Sequence, residues 1–544
     1  MIKWLEKYPI VLICLIVALM LLPNLDTISV TIMEARNFIT AREMINDGNW
    51  ILTTMNGEPR YQKPPLPTWL TALSSFIFGI KSVYGLRLPT VIMVMIIGSF
   101  IYKLSNNFIQ NSTHSLINAL IVITSFYVIG ITIEAPWDIF THALMLIGIY
   151  NLFQLFEKKN PSLKNTIIAG ICIGLSFMSK GPISMYVVLL PFLLAYGFTF
   201  KYSNLKKKLV SFISIGILAI IVGGWWYIYV RLQDPETLSA ITKKETTNWS
   251  SYNIRPFYYY WSFFTQSGLW TIPAFISLLY PYLKNKVINK KAYTFSFLWT
   301  VFTVVLLSII PEKKSRYLMP VLIPLSINIG FYIEYLIRNF KDLKDKRETF
   351  PVYFNFGLIA LIGVSYPVIA YFYFKDNLAT FWLSFVISSI TLFTIGAFML
   401  FYLKKKNMKL VFLFTVSFFA SVLITVTPLT KSFISSNYKP ISRLHDEASS
   451  DQLNVYSLNY VAPEMIWQFG DKLPPLKLKN GFSNFPKEKQ FGMITSTINP
   501  EDYKKLDSLY IVTKISTFDL NVADLTSKKY NKRLQSQYYI LKRK

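Results

Sequence analysis

Three carboxylates and a small set of cations draw notice in this 544-residue chain because they sit where long apolar runs begin or end. Glu34, Glu134 and Asp138 are the carboxylates; Lys63, Arg255, Lys313, Lys314 and Arg316 are the cations. Charge kept against a bilayer is costly and usually functional. A carboxylate there can take the proton of an attacking hydroxyl. Arginine holds phosphate through a bidentate fork and lysine holds it as a point charge. The chemistry these residues suggest is transfer of a group onto a hydroxyl, with a phosphate bound nearby.

The densest charge lies in residues 33–65, MEARNFITAREMINDGNWILTTMNGEPRYQKPP, a stretch longer than a connector needs. Glu34 opens an amphipathic helix over 34–45, where a carboxylate also suits the positive end of the helix dipole. Asp138, in APWDIF, reads either as a catalytic carboxylate or as a helix cap. Lys313, Lys314 and Arg316, in PEKKSR, read as a lipid-phosphate site or as simple headgroup contacts. Trp249, Tyr258, Tyr259, Tyr260 and Trp261 would line a groove for a lipid chain or form an interfacial aromatic belt.

These residues are set in an oily chain. It is 53% hydrophobic and 16% charged, with mean hydropathy +0.38, values of a polytopic membrane protein. Runs long enough to span occupy 8–25, 86–104, 115–131, 139–156, 166–179, 183–200, 209–230, 266–283, 292–310, 317–337, 352–374, 379–403 and 410–426. The run 66–80 is short and begins among Pro64, Pro65 and Pro67. Laid on the membrane surface, it leaves the lysine clusters at 158–164, 201–208, 284–291, 338–347 and 404–409 on the N-terminal side, the cytoplasmic one. Made a span, it turns nearly all of them outward, against the positive-inside bias. The expectation is therefore about thirteen spans, a retained first helix, and outward loops that carry the charged residues above.

The net charge of +27 follows mostly from that topology, so nucleic acid is not an expected partner. Cys14 and Cys172 lie in apolar runs, and His114, His142 and His445 are scattered, which gives neither a disulfide framework nor a histidine metal cluster. Residues 1–427 read as a transmembrane domain and 428–544 as an extracytoplasmic soluble domain of mixed α/β type, with β-rich pieces at 453–458, 509–513 and 538–541 and a helical one at 500–506. No glycine-rich phosphate loop suggests a nucleotide-driven pump. A transporter of lipid-linked saccharides would place charge along a path near the midplane, often in two related halves; here the charges cluster at one face.

The first loop, with WD at Trp137–Asp138, GLSFMSKGP at Gly174–Pro182, RPFYYY at Arg255–Tyr260 and KKSRYLMPVLIPL at Lys313–Leu325, resembles in order the membrane glycosyltransferases of the GT-C fold. The branch it resembles is that of lipid A 4-amino-4-deoxy-L-arabinose transferase and the protein mannosyltransferases that use dolichyl-phosphate-mannose. The resemblance covers most of the membrane domain and implies a GT-C helical domain with interfacial helices in the first outward loop. It implies an inverting hexosyl- or pentosyltransferase in a bacterial inner membrane, its site and C-terminal domain facing the periplasm. The donor would be a polyprenyl-phosphate sugar and the acceptor a lipid, a glycolipid or, alternatively, a protein. Glu34 and Asp138 would be catalytic, and Arg36, Lys63, Arg255, Lys313, Arg316 and Tyr317 would bind substrate. A divalent metal is a possible cofactor with Glu34 as a candidate ligand. Two departures count against it: Met33 stands where the family usually has aspartate, and Tyr252, Asn253 and Ile254 stand where a ligating histidine can precede the arginine.

Overall fold

The computed structural model describes residues 7–134, 136–375, 378–476 and 486–544, with side chains at all of these except 249 and 250. The chain forms two compact units. One comprises Met1–Thr27, Tyr61–Pro67 and Arg87–Leu429; the other comprises Ile28–Arg60, Thr68–Leu86 and Thr430–Lys544.

The first unit is helical. Among the described residues of the chain, eight helices are long and apolar enough to cross a membrane, or nine if the bent pair Ser112–Ile123 and Phe126–Glu134 makes one span. The sequence suggests about thirteen crossings, and the difference has local causes. The run 8–25 is helical only over Pro9–Leu21; it begins with a proline, which suits a first turn, and stops just before Pro23. The run 266–283 is not one helix. Gly268 interrupts it at φ +67°, ψ −114°, and the pieces Thr271–Ser277 and Tyr280–Leu283 follow separately. A Cβ at Gly268 would lie 2.7 Å from the Cβ of Phe126, so the break is also a close contact.

Two helices bear on the site. Pro136–Glu157 and Leu163–Lys180 are joined by a five-residue connection, 158–162, and pack as an antiparallel hairpin. Small residues bring them close: a Cβ at Gly148 would fall 2.7 Å from Ile173, and Ser176 donates to the carbonyl of Thr141 at 2.7 Å.

The second unit joins the first loop to the C-terminal residues. Helix Ile32–Asp47 starts at a capping box: Glu34 N–H donates to Thr31 Oγ1 at 3.4 Å, and Glu34 Oε2 accepts from Thr31 N–H at 3.0 Å. It ends at Gly48, φ +75°, a left-handed position that favours glycine. Its apolar face, with Ala35, Phe38 and Ile39, shares a core with Met465, Ile466 and Trp467. The expected interfacial helix is Leu66–Phe78, 13 residues, or about 20 Å, which is short of a bilayer core.

Strands β1, Thr54–Met55, and β2, Glu58–Pro59, form a hairpin across Asn56 and Gly57. Both turn residues have positive φ, the requirement of a two-residue turn that asparagine and glycine meet at low cost. The C-terminal residues add β3, Val455–Leu458, β4, Pro475–Leu476, β5, Gln490–Thr495, β6, Tyr510–Asp519, and β7, Gln535–Arg543. Their order is β4-β3-β5-β7-β6, with β3 parallel to β4 and β5 and the other pairs antiparallel. This is the mixed α/β region read from the sequence.

Candidate active site

The hairpin of Pro136–Glu157 and Leu163–Lys180 sets the site. Asp138 lies in the first turn of one helix and Lys180 is the last residue of the other, so the antiparallel fold brings the two to the same level. They form an ion pair. Asp138 is buried, and its second oxygen, Oδ2, has no hydrogen-bond partner among the described residues. A cap would use that oxygen on a backbone N–H; here it stays free. Leaving a buried carboxylate oxygen unmatched costs stability, so its retention points to a role outside folding.

Cations gather around this carboxylate. Lys63 lies in the segment Tyr61–Pro67, which Tyr61 anchors by donating to Asp234 at 3.1 Å and by an edge contact with Trp226. Burial pushes the Lys63 ammonium down to about 8, Lys180 and Arg316 push the same way, and Glu245 and Asp138 oppose them. Among the described residues no carboxylate forms an ion pair with it. Lys180 also stands 4.8 Å from the ring centre of Tyr317, and the Arg316 guanidinium stands 5.8 Å from the same ring. An aromatic face attracts both cations. The result is a cluster of three cations, Lys63, Lys180 and Arg316, near a buried carboxylate.

The loop that carries Arg316 is held from within. Residues 253–255 pair with 311–313: Arg255 N–H donates to Pro311 O at 3.3 Å, and Lys313 N–H donates to Asn253 O at 3.1 Å. Lys313 is buried, and its ammonium donates to the carbonyls of Ile310 at 2.5 Å and Arg255 at 3.2 Å. Lys313 therefore supports the loop, while Arg255 is exposed. Lys314 pairs with Glu312 at 2.5 Å, and Tyr317 donates to the same carboxylate at 3.3 Å. Tyr260 is buried and bonds the backbone of Lys314 in both directions, 3.0 and 3.1 Å. Tyr258 and Trp261 are exposed, as a belt or groove requires; the side chain of Trp249 lies outside the described residues. Glu134 is exposed and accepts from Tyr127 at 2.9 Å.

Glu34 and Arg36 belong to the second unit. Glu34 is buried in its capping box. Arg36 keeps a buried Nε without a hydrogen-bond partner among the described residues, and its carbonyl accepts from Arg60 at 2.6 Å. Burial and the neighbouring Arg36 bring the Arg60 guanidinium down to about 9. Other charges of the first loop are structural. Arg42 donates to the carbonyls of Ile466 and Asp471, and Glu43 holds the β1–β2 turn through Thr54, Asn56 N–H and Gly57 N–H.

A divalent metal does not fit what is present. Among the described residues no three His, Cys, Asp or Glu side chains converge to hold an ion, and Glu34 is committed to Thr31. The sequence reading missed Lys180 as the partner of Asp138. It also passed over His142, one helical turn beyond Asp138 and buried. The signal for Lys180 was the hairpin: two apolar runs of similar length with a short connection place the start of one beside the end of the other.

The many apolar helices with a small C-terminal sheet make a GT-C type fold. The comparisons agree. The structure of ArnT from Cupriavidus metallidurans bound to undecaprenyl phosphate aligns over 98% of this chain and 97% of its own with a TM-score of 0.65, at 12% identity. The family model for dolichyl-phosphate-mannose-protein mannosyltransferase matches residues 62–227, the part that holds Lys63, Asp138 and Lys180. Undecaprenyl phosphate-alpha-4-amino-4-deoxy-L-arabinose arabinosyl transferase 1 of Proteus mirabilis is 27% identical over 349 residues, 62% of this chain and 61% of that protein. The transferase of the same name from Wigglesworthia glossinidia brevipalpis is 27% identical over 59% of this chain and 56% of its own length. The chain is similar to these membrane glycosyltransferases, and it spans 61% and 56% of the length of the two transferases matched by sequence.

Proposed function

We propose that this protein transfers a sugar from a polyprenyl-phosphate donor to a lipid or glycolipid acceptor, of the lipid A kind, on the outer face of a bacterial inner membrane. The observation that carries the reading is the free, buried Oδ2 of Asp138 near Lys63, Lys180 and Arg316, of which only Lys180 forms an ion pair among the described residues. A donor phosphate is the anion such a cluster would take. Lys63 and Arg316 contact it, Arg255 reaches it from the adjoining loop, and Tyr317 fixes Lys180 and Arg316 through its ring.

In the proposed reaction the acceptor oxygen attacks the anomeric carbon from the side opposite the phosphate. Its proton passes to Asp138 as the carbon–oxygen bond to the phosphate breaks, and the bonding pair leaves on the phosphate oxygen. One displacement inverts the anomeric centre. Positive charge already in place stabilises the leaving phosphate without reorganisation during the step. No metal enters this scheme. Glu34 and Arg36, in the first loop, are the further candidates for contact with substrate.

A protein acceptor is the second reading, favoured by the match to the protein mannosyltransferase model. Membranes containing the protein, supplied with labelled polyprenyl-phosphate sugar, would carry label in glycolipid under the first reading and in protein under the second. Label that stays on the donor in both fractions, with the protein folded and inserted, would refute both.

A further inference from the structure

The helix that carries Asp138 leads at its other end to a cavity. Nineteen residues separate Asp138 from Glu157 in the helix Pro136–Glu157, about 28 Å of rise, close to the thickness of a bilayer core. A cavity of about 360 Å³ opens there, at the opposite membrane face. Its floor is aromatic: Phe108, Phe153, Phe156, Tyr196 and Phe200 line it, and all but Phe200 are buried. Its rim is polar and carries Lys201, Lys291, Asn107, Gln110 and Ser203.

Three features point to an anion. Lys201 and Lys291 are exposed at the mouth, and neither forms an ion pair with a carboxylate among the described residues. The Nδ2 of Asn107 is buried without a hydrogen-bond partner among the described residues, although an unmatched buried donor is costly. The acid on the rim is partly occupied, because Glu157 Oε1 accepts from Tyr196 at 2.9 Å. The charged groups of the cavity therefore total one positive charge. The surface the cavity exposes is mostly polar, which suits a phosphate held at the membrane surface with its hydrocarbon outside the cavity, in the bilayer.

The geometry points to this cavity as a site for the phosphate of an anionic glycerophospholipid of the membrane leaflet that faces the lysine-rich loops. Basic pockets between helices on the cytoplasmic side bind lipid headgroups in this way. Lys201 and Lys291 contact the phosphate oxygens, Asn107 donates to the same group, and the buried aromatic side chains close the inner end of the cavity. The assignment stands apart from the proposed reaction, since the two sites occupy opposite ends of one helix.

The test is thermal denaturation of the full-length protein in mild detergent, titrated separately with phosphatidylglycerol, phosphatidylcholine and inorganic phosphate. Phosphatidylglycerol should raise the unfolding temperature, and the other two should not. Lys201→Gln with Lys291→Gln should raise the concentration of phosphatidylglycerol needed by about tenfold or more, the worth of one charged hydrogen bond. Lys158→Gln with Lys159→Gln, on the same face outside the cavity, should change it little. Asn107→Leu keeps both lysines and should weaken binding several-fold, which covers a double variant that fails to fold. Equal loss in the 158/159 pair would show diffuse attraction and overturn the site. Equal stabilisation by phosphatidylcholine would overturn its charge preference, and stabilisation by inorganic phosphate alone would overturn the lipid assignment.

Discussion

Lys63 gives the sharpest test of the proposed site, because its two protonation states bear on function and stability in opposite directions. A free lysine titrates near 10.4, and burial beside Lys180 brings Lys63 to about 8. Holding the charge in the ligand-free protein thus costs about 3 kcal/mol, and a bound phosphate would offset that cost. Between pH 8 and 10.5 the unfolded chain keeps a proton that the folded protein has lost, so the stability of the ligand-free protein rises with pH across this window. Affinity for a polyprenyl phosphate falls over the same window, since binding requires the proton back. From pH 7.5 to 9.5 the charged fraction drops from about three quarters to about 3%, which predicts affinity about 25-fold weaker. The phosphate monoester has its second pKa near 6 and stays dianionic throughout. Titration of the purified protein with a short-chain polyprenyl phosphate at a series of pH values measures this. Lys63→Arg should flatten the profile, because guanidinium remains charged. Affinity in the unsubstituted protein that stays constant from pH 7 to 9.5 would refute the placement of Lys63 against the phosphate.

Asp138→Asn should lower sugar transfer by 10²- to 10⁴-fold, the usual worth of a general base, while donor binding persists. It also leaves Lys180 without its partner, so a stability loss in chemical denaturation should accompany it and should be relieved in Asp138→Asn with Lys180→Met, without return of activity. Glu34→Gln keeps a residue able to complete the capping box and removes only the charge. Loss of transfer with an unchanged unfolding temperature would mark Glu34 as part of the chemistry, and full activity would remove it from the site. Gly396→Val should lower the unfolding temperature, because even a Cβ there would stand 2.6 Å from the carbonyl of Ala360, where helices Lys346–Phe374 and Leu378–Lys404 pack together. A variant as stable as the parent would show that the two helices can separate without cost.

The helical character of the chain was open to reading because lipid-facing and core-facing positions are both apolar, which leaves long runs bounded by lysine. The number of continuous crossings was less open, because Gly268 and Pro23 stop helices for local reasons that an apolar average hides. The place of Asp138 at the start of an apolar run was legible from the sequence, and the structure puts it in the first turn of a helix. Its partnership with Lys180 required a step from two runs to one hairpin. The charges of the first loop divide in a way no single segment discloses. Arg42 and Glu43 serve carbonyls and a turn whose positions depend on contacts inside the folded unit. Lys313 looks in sequence like its neighbour Arg316, yet its ammonium is spent on two carbonyls. That Lys313 rather than Arg316 is spent on these carbonyls follows from the backbone pairing of 253–255 with 311–313.

The core shared by Phe38 and Trp467 also has a meaning in time. These residues stand more than 400 positions apart, and a ribosome adding about 5–20 residues per second needs roughly 20–90 s to pass from one to the other. Helix Ile32–Asp47 leaves the ribosome with its apolar face uncovered, and the segment that covers it follows more than 400 residues later. Until then the first loop has no core of its own. The helical unit can gather its helices as they are made, but the second unit must wait for residues 430–544. A stop codon that removes residues 430–544 would therefore strip helix Ile32–Asp47 of its packing.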